Sequence, residues 1–222
     1  MSPSDDPPRC YALVPCAGVG SRSGADGPKQ YVAIAGQPMV AHTLAALAAV
    51  TRLTATLAVL APDDAAFGAA VPAHTGERAW TARCGGATRA ESVARGLDEL
   101  AYRGARAHDW VLVHDAARCL VRAAWIDRLI DACLPDAVGG LLALPIADTL
   151  KIEGAREAGT ARVAATLERS GKWAAQTPQM FRLGLLQRAL AAAGPAVTDE
   201  ASAIEALGHA PLLVPRRTRT SR

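Results

Sequence analysis

Aromatic residues make up only 4% of this 222-residue chain, so its core must be built from Ala, Val and Leu, as where helices pack closely on a sheet. No uninterrupted apolar run reaches about 18 residues, which leaves no candidate for a membrane-crossing helix. The leading MSPSDDPPR is acidic and proline-rich, where a secretory leader is basic and then apolar, so a soluble cytoplasmic protein is expected. Cys10, Cys16, Cys84, Cys119 and Cys133 form no CxxC pair and have no histidine pair at zinc spacing. Free thiols in a reducing compartment are expected, and no metal ligand set is assigned. Basic excess is also scarce outside one place, because the formal charge of +3 arises from Arg216, Arg217, Arg219 and Arg222 near the C-terminus. The rest is close to neutral and offers no basic face, so neither a nucleic acid nor a membrane is expected as a partner.

What is present points to a core of some size. Half of the residues are apolar, and the length suits one α/β domain over residues 1–222. Apolar runs bounded by turn residues alternate with segments of helical period, the pattern of crossover units in a mainly parallel sheet with helices on both faces. CYALVPCAG reads as the first strand, PMVAHTLAALAAV as a helix opened by Pro38, and LTATLAVLAP as the second strand. APDDAAF carries helix-start chemistry at Asp63 or Asp64. Thr88 and Glu91 stand three apart as a capping box before a helix with apolar Val93, Leu97 and Leu100. DWVLVHDAAR and AVGGLLALPI read as buried strands flanking a helix in AAWIDRLIDACL, and APLLVP as a last strand after two further helices. Residues 148–176 break this rhythm with short β-like pieces around glycines, as a protruding hairpin arm would.

The stretch VPCAGVGSRSGADGPKQY follows the first strand, where glycines let main-chain N–H groups approach phosphate oxygens. A P-loop requires GxxxxGKS or GxxxxGKT, and Lys29 instead follows Pro28 and precedes Gln30. A dinucleotide loop requires GxGxxG, and Ser23 stands where the third glycine belongs. From the residues alone, Arg22 and Lys29 are either solvated loop charges or fixed cations facing a polyphosphate at its reacting phosphorus.

The whole stretch resembles the signature PAAGxGxRxxxxxPKQ(Y/F) of the pyrophosphorylase-like nucleotidyltransferases, and among them the 2-C-methyl-D-erythritol 4-phosphate cytidylyltransferases. GGATRAESV is similar to that family's GGxxRxxSV, VLVHDAAR matches closely, and DTLK, LERSGKW, QTPQMF and TDEAS follow in family order, over residues 9 to about 214. The resemblance implies catalytic roles for Arg22 and Lys29 at the α-phosphorus of CTP. It implies nucleotide binding by Cys16, Ala17, Gly18, Gly20, Gly85, Gly86, Ser92, Asp115 and Ala116. Substrate binding by Arg118, Thr149, Arg169, Thr177 and Thr198 is implied in the same way. It further implies a homodimer formed through the arm, and Mg²⁺ held mainly by the CTP phosphates is expected because a bound triphosphate needs charge neutralisation, with Asp115 as the carboxylate to watch.

The departures are local. Cys16 replaces a small alanine, Ala87 an aspartate and Cys119 a proline. Past the last strand the family continues with a substrate-binding lysine in a KVT-like context and a helix capped by a PEDL-type sequence, where this chain has VPRRTRTSR. The tail at 215–222 is therefore atypical, and lower activity is expected from it. The function implied is cytidylyl transfer from CTP to 2-C-methyl-D-erythritol 4-phosphate. The alternatives are transfer to another polyol phosphate such as ribitol 5-phosphate, or CTP binding without turnover.

Overall fold

The computed structural model describes residues 6–18, 27–157, 159–193 and 197–216. Arg22 and Gly20 lie outside these described residues. In chain order the elements open with strand β1 (Cys10–Pro15), a 3-10 turn (Lys29–Tyr31), a small hairpin of β2 (Ala33–Ile34) and β3 (Gln37–Pro38), and helix α1 (Met39–Ala48). Then come β4 (Leu53–Val59), a single turn α2 (Phe67–Ala70), β5 (Ala79–Ala82), α3 (Arg89–Tyr102), β6 (Trp110–Val113) and α4 (Ala123–Cys133). The chain continues through β7 (Gly139–Pro145), the arm strands β8 (Leu150–Glu157) and β9 (Thr160–Leu167), and β10 (Trp173–Arg182). It closes with α5 (Leu183–Ala192), α6 (Glu200–Ala206) and β11 (Leu212–Pro215).

The central sheet has the order β11-β7-β10-β6-β1-β4-β5. Residues alternate across it as a pleat requires. From β1, Ala12 and Val14 face α1 and α4 with Leu44, Leu47, Ile126 and Leu129. Tyr11 and Leu13 face the opposite layer, where Val93 and Leu97 of α3, Leu186 of α5 and Ile204 of α6 pack. Helices thus cover both faces, as the alternating pattern predicts. Gly96 lets α3 sit close, since a Cβ there would come within 2.7 Å of Leu13 and Val59 side-chain atoms.

Three local features differ from the sequence-based expectation. β10 is an unforeseen central strand, antiparallel to both β6 and β7. The chain leaves β7 into the arm and comes back beside it, so its return must run the other way. Pro178 cannot donate to a ladder, and it falls where pairing with β7 is interrupted between Ala175 and Gln179. The β2–β3 hairpin before α1 turns through Ala35 and Gly36, both at positive φ, as a tight hairpin demands. The capping box at α3 forms by half: Thr88 Oγ1 accepts the Glu91 N–H at 3.1 Å, but the Glu91 carboxylate accepts from Ala87 N at 2.8 Å instead of from Thr88.

Candidate active site

Two cavities open at the carboxyl ends of the parallel strands, one on each side of the turn that follows β6, and Ala117 lines both. The first, about 220 Å³, is walled by Ala17 and Gly18 after β1, by Gly86 and Ser92 at the start of α3, and by Asp115 and Ala116. The second, about 330 Å³, takes Lys29 from the segment after the glycine loop, Arg118 from the turn, Trp125 from α4, Thr177 from β10 and Arg216 from the exit of β11. This is the crevice at which open parallel sheets take ligands.

Close packing shapes the first cavity. Gly85 leaves no room for a side chain, because a Cβ would stand 2.3 Å from Ala17 Cβ and 2.7 Å from the Leu60 carbonyl. Ser92 is buried, and its hydroxyl donates to Thr88 O at 2.9 Å while accepting the Gly86 N–H at 3.0 Å. It therefore braces the 86–88 loop from beneath. Cys16 points its thiol into the core and offers the site only its main chain. Its carbonyl accepts from Gln30 Nε2 at 2.7 Å, which pins the Lys-Gln pair to the start of the glycine loop.

Asp115 divides the two cavities and is held from both sides. Oδ1 accepts from Arg89 Nε and Oδ2 from Arg118 Nε, each at 2.8 Å. Burial pushes its carboxyl up, but the two guanidiniums outweigh that and hold it below the ordinary carboxylate value. Arg89 in turn forks onto Glu200, which is 1% exposed, at 2.6 and 3.0 Å. Burial keeps the Glu200 carboxyl above its ordinary value despite that partner.

His114 is fully buried behind the turn. Its Nε2 lies 3.2 Å from the Arg118 carbonyl, which can only accept, so Nε2 carries the proton. Nδ1 then accepts from the Thr177 hydroxyl at 2.9 Å, and Thr177 Oγ1 accepts the Asp115 N–H at 3.3 Å. Burial lowers the imidazole to about 4, so it is neutral at physiological pH.

The residues singled out from the sequence thus divide. Ala17, Gly18, Gly86, Ser92, Asp115 and Ala116 gather at the first cavity, and Lys29, Arg118 and Thr177 at the second. Thr149, Arg169 and Thr198 are exposed and line neither. Arg169 donates to the Ala147 carbonyl at the base of the arm. Sequence reasoning missed Trp125, Arg216, Gln30 and Glu200. The motif TDEAS contained Glu200, but only the fold shows its carboxylate under Arg89. No group of three or more potential metal ligands occurs among the described residues. A larger cavity of about 740 Å³ lies elsewhere, between α1 and the β4–β5 edge, and contains none of the described motif residues.

Residues 10–220 match the family described as IspD: 2-C-methyl-D-erythritol 4-phosphate cytidylyltransferase. A bifunctional enzyme IspD/IspF of Albidiferax ferrireducens is 63% identical over 212 residues, covering 96% of this chain and 49% of its own, so the chain spans about half of that relative. A 2-C-methyl-D-erythritol 4-phosphate cytidylyltransferase of Laribacter hongkongensis is 58% identical over 209 residues, 93% of this chain and 86% of that protein. The crystal structure of a 4-diphosphocytidyl-2C-methyl-D-erythritol synthase is similar at a TM-score of 0.80 and 40% identity, covering 97% of this chain and 92% of that one. With the glycine-loop and HDAAR motifs in the family's order and residues 10–220 matching its model, this chain belongs to the 2-C-methyl-D-erythritol 4-phosphate cytidylyltransferase family.

Proposed function

We propose that the chain transfers the cytidylyl group of CTP to 2-C-methyl-D-erythritol 4-phosphate, releasing pyrophosphate. The observation that carries this reading is the pair of adjoining cavities, one walled by glycines and a helix start, the other by cations, with Asp115 between them. The first takes the nucleoside and the second the acceptor phosphate. An acceptor phosphate oxygen forms a bond to the α-phosphorus, and the bond from that phosphorus to the β-phosphate bridging oxygen breaks. No general base is required, since a phosphate monoester is ionised at neutral pH. His114 is neutral and bonded at both ring nitrogens, in keeping with a positioning role. Lys29 and Arg22 stabilise the charge that accumulates on the equatorial oxygens.

Magnesium fits this donor set as an ion that arrives on the triphosphate. Among the described residues the first cavity offers it the single carboxylate of Asp115, both of whose oxygens already accept from arginine, and Mg²⁺ takes few protein ligands beside phosphate oxygens and waters. When bound, it neutralises triphosphate charge. Two further parts of the proposal, one domain over residues 1–222 and a place in the cytoplasm, rest on length and composition, and a third, a homodimer in which Thr149 and Arg169 of the arm reach the partner's acceptor cavity, rests on the family resemblance. No helix among the described residues is long and apolar enough to cross a membrane.

The test is pyrophosphate release with CTP, ATP, GTP and UTP, each with and without 2-C-methyl-D-erythritol 4-phosphate, and with ribitol 5-phosphate in parallel. Release should require CTP and the methylerythritol acceptor together. Equal turnover with ribitol 5-phosphate moves the acceptor assignment, and CTP binding without release reduces the protein to a nucleotide binder.

A further inference from the structure

Arg216 is the first of the C-terminal arginines, and unlike a solvated tail charge it is built into the sheet. Its N–H donates to the Ala143 carbonyl at 2.9 Å, continuing the β11–β7 ladder by one residue. Arg128 Nη1 donates to the Pro215 carbonyl at 3.3 Å, so the main chain is held from a second side. The side chain then turns onto α4, with its Cζ 4.5 Å from the centre of the Trp125 ring. Stacking occupies the face of a guanidinium and leaves its N–H edge free for an acceptor. Its Nε is buried and finds no acceptor among the described residues. Being out of reach of solvent, Nε is not the group that meets a ligand, and that role falls to the terminal nitrogens of this half-buried residue.

The charges around it have the same implication. Lys29, Arg118 and Arg216 line the second cavity, and among the described residues no carboxylate lines it. Arg118 has Asp115 as its partner, but that carboxylate is shared with Arg89. Neither Lys29 nor Arg216 forms an ion pair with a described residue, and the Arg122 guanidinium lies 5.3 Å from the same Trp125 ring. Cations gathered without an acid repel one another until an anion joins them, and a cavity of about 330 Å³ has room for a phosphate with a short polyol chain. We propose that Arg216, presented on the Trp125 platform, is a substrate-binding residue for the phosphate monoester of the acceptor. This rests on the reading of the second cavity given above, and adds to it a residue outside every motif by which the family was identified.

The experiment compares wild type, Arg216→Ala, Arg216→Lys and Trp125→Leu by two readouts: calorimetric titration with inorganic phosphate, and steady-state kinetics with each substrate varied. Arg216→Ala is expected to weaken phosphate binding and to raise KM for the acceptor by about tenfold to a hundredfold, the range of one charged hydrogen-bonding partner. KM for CTP and the thermal midpoint should stay near wild type. Arg216→Lys should recover part of the loss, and Trp125→Leu should lose less than Arg216→Ala, since the charge remains. The proposal is overturned if Arg216→Ala binds phosphate as wild type does, if it loses CTP and acceptor affinity equally, or if wild type takes up no phosphate at millimolar concentration. Should Arg216→Ala fail to fold, Arg216→Gln replaces it with the same expectations. A wild-type protein that binds phosphate through Arg216 yet releases no pyrophosphate defeats the reaction assigned above and leaves this inference standing.

Discussion

Arg89 joins Glu200 to Asp115: its two terminal nitrogens reach the buried Glu200 carboxylate at 2.6 and 3.0 Å, and its Nε reaches Asp115 at 2.8 Å. The start of α6 is thereby coupled to the wall between the cavities. Glu200→Gln keeps the shape but withdraws the charge that orients the guanidinium. Urea unfolding should show a loss of about 1–3 kcal/mol, the scale of a hydrogen bond to a charged group. KM for CTP should rise with it, because Asp115 loses its lateral support. Unchanged stability together with unchanged KM would show that Arg89 is placed without Glu200.

Lys29 is exposed, lines the second cavity, and forms no ion pair with a described residue. Its removal therefore costs the fold little. Lys29→Ala should lower pyrophosphate release about a hundredfold to a thousandfold, the effect of removing one fixed stabiliser of transition-state charge, with the thermal midpoint unchanged. Near-normal release from that variant would remove Lys29 from the chemistry.

Gly85 gives a steric prediction. The Cβ of Gly85→Ala would overlap Ala17 Cβ at 2.3 Å and the Leu60 carbonyl at 2.7 Å, and the Gly85 N–H donates to that same carbonyl at 2.8 Å. Backbone on one side and the glycine loop on the other cannot both yield, so the loop carrying Ala17 and Gly18 should shift. Stability should fall by about 1–3 kcal/mol and KM for CTP should rise. A variant with wild-type KM would mean that the loop relaxes without moving the cavity wall.

Much of this was legible in the sequence because it is local. Thr88 caps α3, Asp199 caps α6 through Ser202, and the alternation of β1 sets both core faces. β10 was not legible, since WAAQTPQMFR has a proline in its middle and its partners Val113 and Leu141 are far away in sequence. The placement of Trp125 and Arg216 escaped for a similar reason. One belongs to an ordinary amphipathic helix, the other to a basic run, and only the ladder between β11 and β7 brings them together. Gln30 was quoted within a motif, but nothing in its neighbours tells that its amide reaches the Cys16 carbonyl.

His114 sets a pH dependence of stability. Its folded value of about 4 lies below the ordinary 6.5, so the unfolded chain takes up the proton first as pH falls. The stabilisation is complete above pH 6.5, is lost progressively down to about 4, and amounts to about 3 kcal/mol at most. His74, also lowered by burial, adds to the same trend. Asp109 and Asp115 are held below 3.8, so their share is lost at lower pH. Glu200 is raised above 4.5 and opposes the trend, its share being lost as pH rises. Unfolding free energies between pH 7 and pH 4.5 should fall less steeply in His114→Gln than in wild type. Equal slopes would mean that the buried imidazole takes a proton without unfolding.

The arm is where the isolated chain is least complete. Among the described residues β8 and β9 pair only with each other, leaving Ile152, Val163 and Leu167 exposed at 45%, 64% and 40%. Apolar side chains on a two-stranded ribbon call for cover, which a second copy would supply through the proposed dimer. In that dimer Lys29 of one protomer and Arg169 of the other serve the same acceptor cavity. Lys29→Ala and Arg169→Ala should each be nearly inactive alone. Mixed after mild dissociation and reassociation, they form heterodimers in which one cavity has both defects and the other has none. Random exchange then restores about a quarter of wild-type activity. Were the arm to serve its own protomer, every cavity in the mixture would carry one defect, and activity would stay at the level of the separate variants.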